Sequence, residues 1–242
     1  MLTTGKGSIS LYMQIKELLV ARVRGGEWLP GTIIPSEINL AREFGVSQGT
    51  VRKAIIEMVE NNVLTRRQGS GTFVSNHNTH RALFHFFHIA DNNGHKVLPD
   101  SRVLYCRRQP ASPLEASKLQ LPAGANIISI ERVRSLSGSP TMIENITLPA
   151  EPFEGLGEDG NYDLPNTLYE LYEKQYGITI QSADEQLRAV AASKHEAKIL
   201  GLEVGTPLLE IERVALTLGK NPIELRISRC STKNHHYHNT VF

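Results

Sequence analysis

The sequence predicts a multidomain chain. A small α-rich unit ending in a β-hairpin spans residues 1–75, and an α+β unit built on an antiparallel sheet with helices spans residues 82–242. Three observations carry that reading. Apolar residues in the first sixty positions recur at helical spacing and are cut by glycines. Beyond Ala82, long β-rich segments are joined by turns such as Ser137-Gly138-Ser139-Pro140 and Gly219-Lys220-Asn221-Pro222, which connect antiparallel neighbours. Between the two patterns SNHNTH, residues 75–80, is polar and aperiodic, so 76–81 read as a linker.

Taken in order, Leu11, Ile15, Leu18, Leu19 and Val23 form the apolar face of a first helix that Gly25 and Gly26 end. Pro30 and Gly31 make a turn. Ser36 caps a second helix through Phe44, and Gly45 closes it. Ser47 caps a third, in which Val51, Ala54, Ile55, Met58 and Val59 form a buried stripe. Gly49, Arg52 and Lys53 therefore point away from the core. Short strands at 63–65 and 72–74 then flank RRQGSG, a basic hairpin. In the second unit the expected strands are 82–89, 101–109, 126–136, 140–148, 180–192, 207–218 and 222–231. The expected helices are 113–119, 166–176 and 194–201. No long-period repeat is evident.

Composition narrows the classes. Apolar residues make up 40% of the 242 and charged residues 21%, as in ordinary globular proteins. No apolar run approaches the roughly 20 residues that span a bilayer, and the N-terminus has no apolar signal segment, so a cytoplasmic protein is expected. Cys106 and Cys230 are expected to be free thiols. The net charge is +1, but residues 1–75 hold nine Lys or Arg against six Glu, an asymmetry whose sign suits a nucleic-acid-binding head.

Two short helices joined at Gly45-Val46, the second with a free face, have the geometry of a helix-turn-helix whose second helix fits a major groove. Arg66, Arg67 and the flexible Gly69-Ser70-Gly71 tip then make a wing for phosphate or a minor groove. A solvated turn is the plain alternative for those arginines. The ordered motifs PG, PSE, LA, FGVS, TVR, LTRRQG and GTFV resemble, across residues 11–74, the winged helix-turn-helix domain of GntR-family bacterial transcription regulators. The resemblance implies that Ser47, Thr50 and Arg52 contact backbone or base edges of operator DNA and that Gly69 and Gly71 let the wing approach the groove. Ser36 and Gly49 complete the expected DNA-binding set, and the helical wheel adds Lys53 as a phosphate contact. Gln48 and Ile38 stand where the family usually has arginine.

Residues 80–235 resemble, more loosely, the effector-binding (UTRA) domain of the HutC-type branch, a fold shared with chorismate lyase. The anchors are IERVRSLSGSPTMIENITLP, NTLYELYEKQYGI and GTPLLEIERVALTLGKNPIELRIS. The resemblance implies a homodimer joined through this domain, most often a repressor released by its ligand; an activator of the same architecture and a lyase-like enzyme are the alternatives. Arg132 and Arg134 share one face of a strand, as do Glu224 and Arg226, and Glu144 lies on the strand that returns from SGSP. PNTL opens a helix, placing Asn166 and Thr167 at an anion-attracting end, and Tyr169 is favoured over Tyr172 for the pocket. Together these suit a small anionic effector carrying carboxylate or phosphate plus hydroxyl or amine groups. The plain alternative is that Arg132 with Glu144, and Glu224 with Arg226, are structural ion pairs.

No catalytic residue, metal or cofactor is expected. GLGEDG at 155–160 matches a dinucleotide pattern but opens no helix and carries two acids, so it reads as a loop. His85, His88, His235, His236 and His238 lack the spacing and companions of a metal site. Asn145-Ile146-Thr147 fits a glycosylation acceptor but lies in an expected strand.

Arginine pairs with guanine O6 and N7, whereas glutamine favours adenine N6 and N7. Selection of operators from random DNA is therefore expected to return a half-site differing from the family's usual one at the base that Gln48 faces. Gln48→Arg should restore the usual base; an unchanged selection would refute the assignment.

Overall fold

The computed structural model describes residues 10–60, 63–75, 87–96, 99–158 and 163–239. The chain divides into two compact units, Met1–Asn76 and His77–Phe242. In the first, α1 (Leu11–Arg24), α2 (Glu37–Phe44) and α3 (Gln48–Glu60) precede a hairpin of β1 (Leu64–Arg67) and β2 (Gly71–Val74). Ser36 Oγ accepts the Asn39 N–H at 3.3 Å to start α2, and Gly45 ends it in the left-handed region at φ 65°. Ser47 Oγ does the same for Thr50 N–H at 3.2 Å to start α3. Ile15, Leu19, Leu40, Val51, Ala54, Ile55 and Met58 are buried together with Leu64 and Val74 of the hairpin. The ladder runs further towards the tip than 63–65 and 72–74, pairing Arg66 with Thr72 and Arg67 with Gly71. A segment unseen in the sequence stiffens it: Ile34 N–H donates to Thr72 O and Val74 N–H to Thr32 O, each at 2.9 Å.

The second unit contains β3 (Ile89–Asp91), β4 (Asp100–Pro110), α4 (Pro113–Leu119), β5 (Asn126–Leu136), β6 (Ser139–Pro149), α5 (Leu168–Tyr176) and β7 (Ile180–Ala191). It continues with α6 (Lys194–Leu200), β8 (Pro207–Thr217), β9 (Pro222–Cys230) and β10 (His235–Tyr237). Six strands make one antiparallel sheet in the order β4-β5-β6-β9-β8-β7. Strand alternation gives it two apolar faces. Ile128, Ile130, Ile146 and Leu148 pack under Leu168, Tyr169 and Tyr172 of α5, while Val133, Ile143 and Leu208 pack under Ala197 and Leu200 of α6. The SGSP connection is a two-residue turn with Ser137 at φ 51° and Gly138 at φ 77°, the mirror-image type that matches strand twist.

The expectation of no internal repeat is corrected. β4-α4-β5-β6 and β7-α6-β8-β9 follow the same order, and the two halves join where β6 pairs with β9. Both α4 and α6 open with a reciprocal cap, Ser112 with Glu115 and Ser193 with Glu196. At one constant offset, Gly124 matches Gly205, Ile130-Glu131-Arg132-Val133 matches Ile211-Glu212-Arg213-Val214, and Gly138 matches Gly219. The matches are few and scattered along the offset, which hides the repeat from a reading of periodicity.

Three further differences concern boundaries. Residues 82–86 of the strand expected at 82–89, together with His85, lie outside the described residues; Phe87 and His88 are not strand, and β3 starts at Ile89. Its partner is β10, so the histidine-rich tail forms a two-stranded ribbon with His235 opposite Asp91 and Tyr237 opposite Ile89. The helix expected from 166 starts at Leu168. Of GLGEDG, residues 155–158 form turns, with Gly155 and Gly157 at positive φ.

Cys106 and Cys230 are free and buried, and burial pushes their thiols up to about 11 and about 12. No helix among the described residues is long and apolar enough to cross a membrane. Phe153 is fully buried and meets Tyr172 and Tyr176 edge-on at 4.9 and 5.1 Å. Phe153→Ala is therefore expected to destabilise the chain by about 3–5 kcal/mol in chemical denaturation. Leu187→Ala, on the exposed part of β7, should change it by less than about 0.5 kcal/mol.

Candidate functional site

The first turn of α3 faces solvent. Gln48, Gly49, Arg52 and Lys53 are exposed, because the stripe from Val51 to Met58 commits the opposite side to the core. A groove of about 500 Å³ runs between the starts of α2 and α3 and the hairpin. Of the expected DNA-facing residues, Ser36, Gln48, Arg66, Arg67, Gly69 and Gly71 line it. Ser47 and Thr50 sit beside it and hydrogen-bond each other at 2.9 Å. Lys53 places its ammonium over the Tyr12 ring at 3.9 Å, and Arg67 its guanidinium over Phe73 at 4.5 Å. Gly49 has no internal packing that demands glycine, since a Cβ there would meet only Ser47 Oγ at 3.8 Å. Gly71 does: at φ 114° a Cβ would come within 2.9 Å of Ile33 Cδ1.

Sequence reasoning missed Glu37. Its carboxylate receives Arg52 Nε at 3.0 Å, Arg66 Nη2 at 2.5 Å and Gln48 Nε2 at 3.4 Å. The residue was visible in PSE, where the preceding serine drew attention as a cap.

In the second unit a cavity of about 60 Å³ lies between α5, the β3–β10 ribbon and the sheet. Arg132, Arg134, Glu144, Asn166, Thr167, Tyr169 and Arg226 all line it. Glu224 does not; fully buried beneath, it accepts the hydroxyls of Tyr169 at 2.9 Å and Tyr172 at 2.8 Å. Both tyrosines belong to the core cluster, and Tyr169 also reaches the cavity.

Both ion pairs offered as the plain alternative are present. Glu144 accepts from Arg132 Nε at 2.5 Å, and also from Arg134, Arg226 and Ser228 at 3.3 to 3.4 Å. Glu224 receives Arg226 Nε and Nη2 at 2.9 and 2.8 Å. Pairing does not exhaust the donors and acceptors, however. Arg134 Nε and Asn166 Oδ1 are buried with no hydrogen-bond partner among the described residues. Asn166 Nδ2 donates to Pro99 O at 2.7 Å, and the backbone carbonyl of Asn166 accepts from Arg132 Nη1 at 3.2 Å. The first turn of α5 is less open to an anion than the sequence suggested, because Glu170 stands there and accepts from Thr167 Oγ1 at 2.9 Å.

Arg213, Phe87, His88, Met142, Ile211 and Tyr237 also line it and were not anticipated. The second IERV, at 211–214, was the available signal for Arg213, which repeats the place of Arg132. Arg213 Nε and Tyr237 hydroxyl both donate to Glu185, each at 2.6 Å. Four guanidiniums thus surround three carboxylates, Glu144, Glu185 and Glu224. Burial and then Arg132 push Arg134 down to about 9. Burial alone would raise Glu144, but Arg132, Arg226 and Arg134 together hold it well below its ordinary 4.5.

A helical head with a solvent-facing α3 beside a basic hairpin, in one chain with a sheet unit that encloses an ion-lined pocket, defines a ligand-responsive DNA-binding regulator. The chain belongs to the gntR family of bacterial regulatory proteins, whose model matches residues 11–74, and it carries a UTRA domain at residues 94–236. It is 33% identical over 206 residues to the HTH-type transcriptional repressor NagR of Bacillus subtilis, covering 85% of this chain and 84% of that one. It is 30% identical over 229 residues to the HTH-type transcriptional regulator YurK of the same organism, covering 92% and 91%. A crystal structure of a ligand-binding domain assigned to the GntR family, from Bordetella bronchiseptica, is 37% identical with a TM-score of 0.58, covering 64% of this chain and 96% of that one.

A carboxylate held below its unfolded value stabilises the fold above that value and loses its contribution as pH falls through the folded one. Glu144→Gln leaves three guanidiniums without their shared partner, so it should cost about 3–5 kcal/mol at pH 7. In paired denaturation curves, the gap between wild type and variant is expected to narrow as pH drops below 4.5.

Proposed function

We propose that the cavity of the second unit binds a small anion bearing carboxylate or phosphate together with a hydroxyl or amine, and that this ligand lowers the affinity of a dimeric repressor for its operator. The observation that carries the proposal is a pair of buried atoms at the cavity, Arg134 Nε and Asn166 Oδ1, without a hydrogen-bond partner among the described residues. A nitrogen donor calls for an anionic oxygen, and a carbonyl acceptor calls for a hydroxyl or amine. The excess of one guanidinium over the carboxylates favours a negative guest. Arg132, Arg134, Glu144, Asn166, Thr167, Tyr169 and Arg226 meet the ligand, with Glu224 holding Arg226 and Tyr169 in place.

In the first unit, Gln48, Gly49, Arg52 and Lys53 enter or flank the major groove, with Ser47 and Thr50 at the helix start and Ser36 beside them. Arg66, Arg67, Gly69 and Gly71 carry the wing. The exposure of the first turn and the absence of a packing reason for Gly49 support this reading. Two recognition helices are needed for a two-fold operator, which is the reason to propose a homodimer joined through residues 82–242, with 76–81 as linker. Operator DNA places the working protein in the cytoplasm. Burial pushes the phenols of Tyr169 and Tyr172 up, so neither serves as a base.

A thermal-shift screen of hydroxy acids, amino acids and sugar phosphates tests the proposal, since a ligand stabilises the state it binds. A hit should raise the melting temperature, weaken operator binding in a gel shift, and lose both effects in Arg134→Met. A hit that acts unchanged on Arg134→Met would refute the pocket, and turnover of the hit would refute the regulator-only reading.

A further inference from the structure

Glu37 is the first residue of α2, a place where the helix dipole alone would favour an acid. Its side chain does more than that role requires. It is 17% exposed and reaches Gln48 and Arg52 on α3 and Arg66 on β1, whereas the two arginines are 57% and 44% exposed. The three partners are the ones whose orientation decides what the head meets. We infer that Glu37 is a positioning residue for DNA recognition: it turns the Gln48 amide so that Oε1 faces the groove, and it withholds Arg52 and Arg66 from indiscriminate phosphate contact. The inference rests on the reading that the first turn of α3 and the hairpin meet DNA.

A primary amide is ambiguous, because a half-turn exchanges its acceptor for its donors. A carboxylate only accepts. With Glu37 on one side, the nitrogen of Gln48 must face it and the carbonyl oxygen must face away. One amide hydrogen goes to Glu37, and the other stays beside Oε1. That edge, an acceptor flanked by a donor, matches N6 and N7 of adenine. Its acceptor alone matches N4 of cytosine. Guanine O6 and thymine O4 present a lone pair to the same oxygen and are rejected. The ionic part works in the same direction. A fixed negative charge on the DNA face repels every phosphate and competes for two guanidiniums, so it weakens binding to any duplex while keeping the reading edge in one orientation.

The test selects sites from random DNA with the full chain as wild type, Glu37→Gln and Gln48→Leu, then measures binding to selected and unrelated duplexes between 50 and 200 mM salt. The position changed by Gln48→Leu should carry adenine or cytosine in the wild type. Glu37→Gln should relax that preference by about tenfold, bind unrelated duplex more tightly, and steepen the salt dependence by about 0.9 for each guanidinium released to phosphate. A purely structural role for Glu37 would lower the melting temperature and move neither the preference nor the salt slope, which overturns the proposal. Guanine or thymine at the wild-type position also overturns it, even if Glu37→Gln does not fold. If Gln48→Leu leaves the selected site unchanged, the first turn of α3 does not read that base, and the underlying assignment falls with the inference. If Gln48→Leu alters the site while folded Glu37→Gln matches wild type, only the inference falls.

Discussion

Glu144 is the interaction on which the second unit turns. It sits on β6 between Arg132 and Arg134 of β5 and Arg226 and Ser228 of β9, and it accepts from all four. Desolvating an ion in a protein interior costs several kcal/mol, and a lone guanidinium there would repel its neighbours across a low dielectric. One carboxylate in register with both neighbouring strands makes the cluster tolerable. A wholly apolar sheet face would serve stability at least as well. The charges are therefore understood through what they leave over: a buried donor and a buried acceptor without partners among the described residues, and one cation more than the carboxylates around it.

The first unit uses the same chemistry under opposite conditions. Glu37 also gathers arginines, but its partners are exposed and salt screens them. At the surface such a pair adds little to stability. Its consequence is orientational, because it fixes side chains that would otherwise sample many rotamers. Burial distinguishes the two acids: Glu144 permits charges inside the molecule, and Glu37 restrains charges outside it.

The sequence disclosed the fold well where one local signal sufficed. Ser36 and Ser47 marked helix starts, and the Ser137-Gly138 turn indicated an antiparallel hairpin. Strand alternation put Arg132 and Arg134 on one face, and helical spacing marked one tyrosine of α5 as core. What it concealed needs distant pieces. The β3–β10 ribbon joins segments far apart in the chain, so Phe87, His88 and Tyr237 could not be assigned to the cavity from spacing. Glu37 was hidden for another reason: a residue at a helix start has an adequate local explanation, and only the approach of α3 and the hairpin reveals a second one. For Glu224, two same-face residues indicated a common site, but depth is a property of packing, and it lies under the cavity and not in its wall.

The repeated half-sheet has a consequence for how the pocket arose within one chain. Arg132 and Arg213 occupy matching places and both reach the cavity, yet the place of Arg134 is taken in the other half by Ala215, fully buried in the apolar cluster beneath α5. Matching places in the two halves thus carry a guanidinium in the cavity wall and a methyl in the apolar cluster, so the repeated half-sheet serves one pocket asymmetrically.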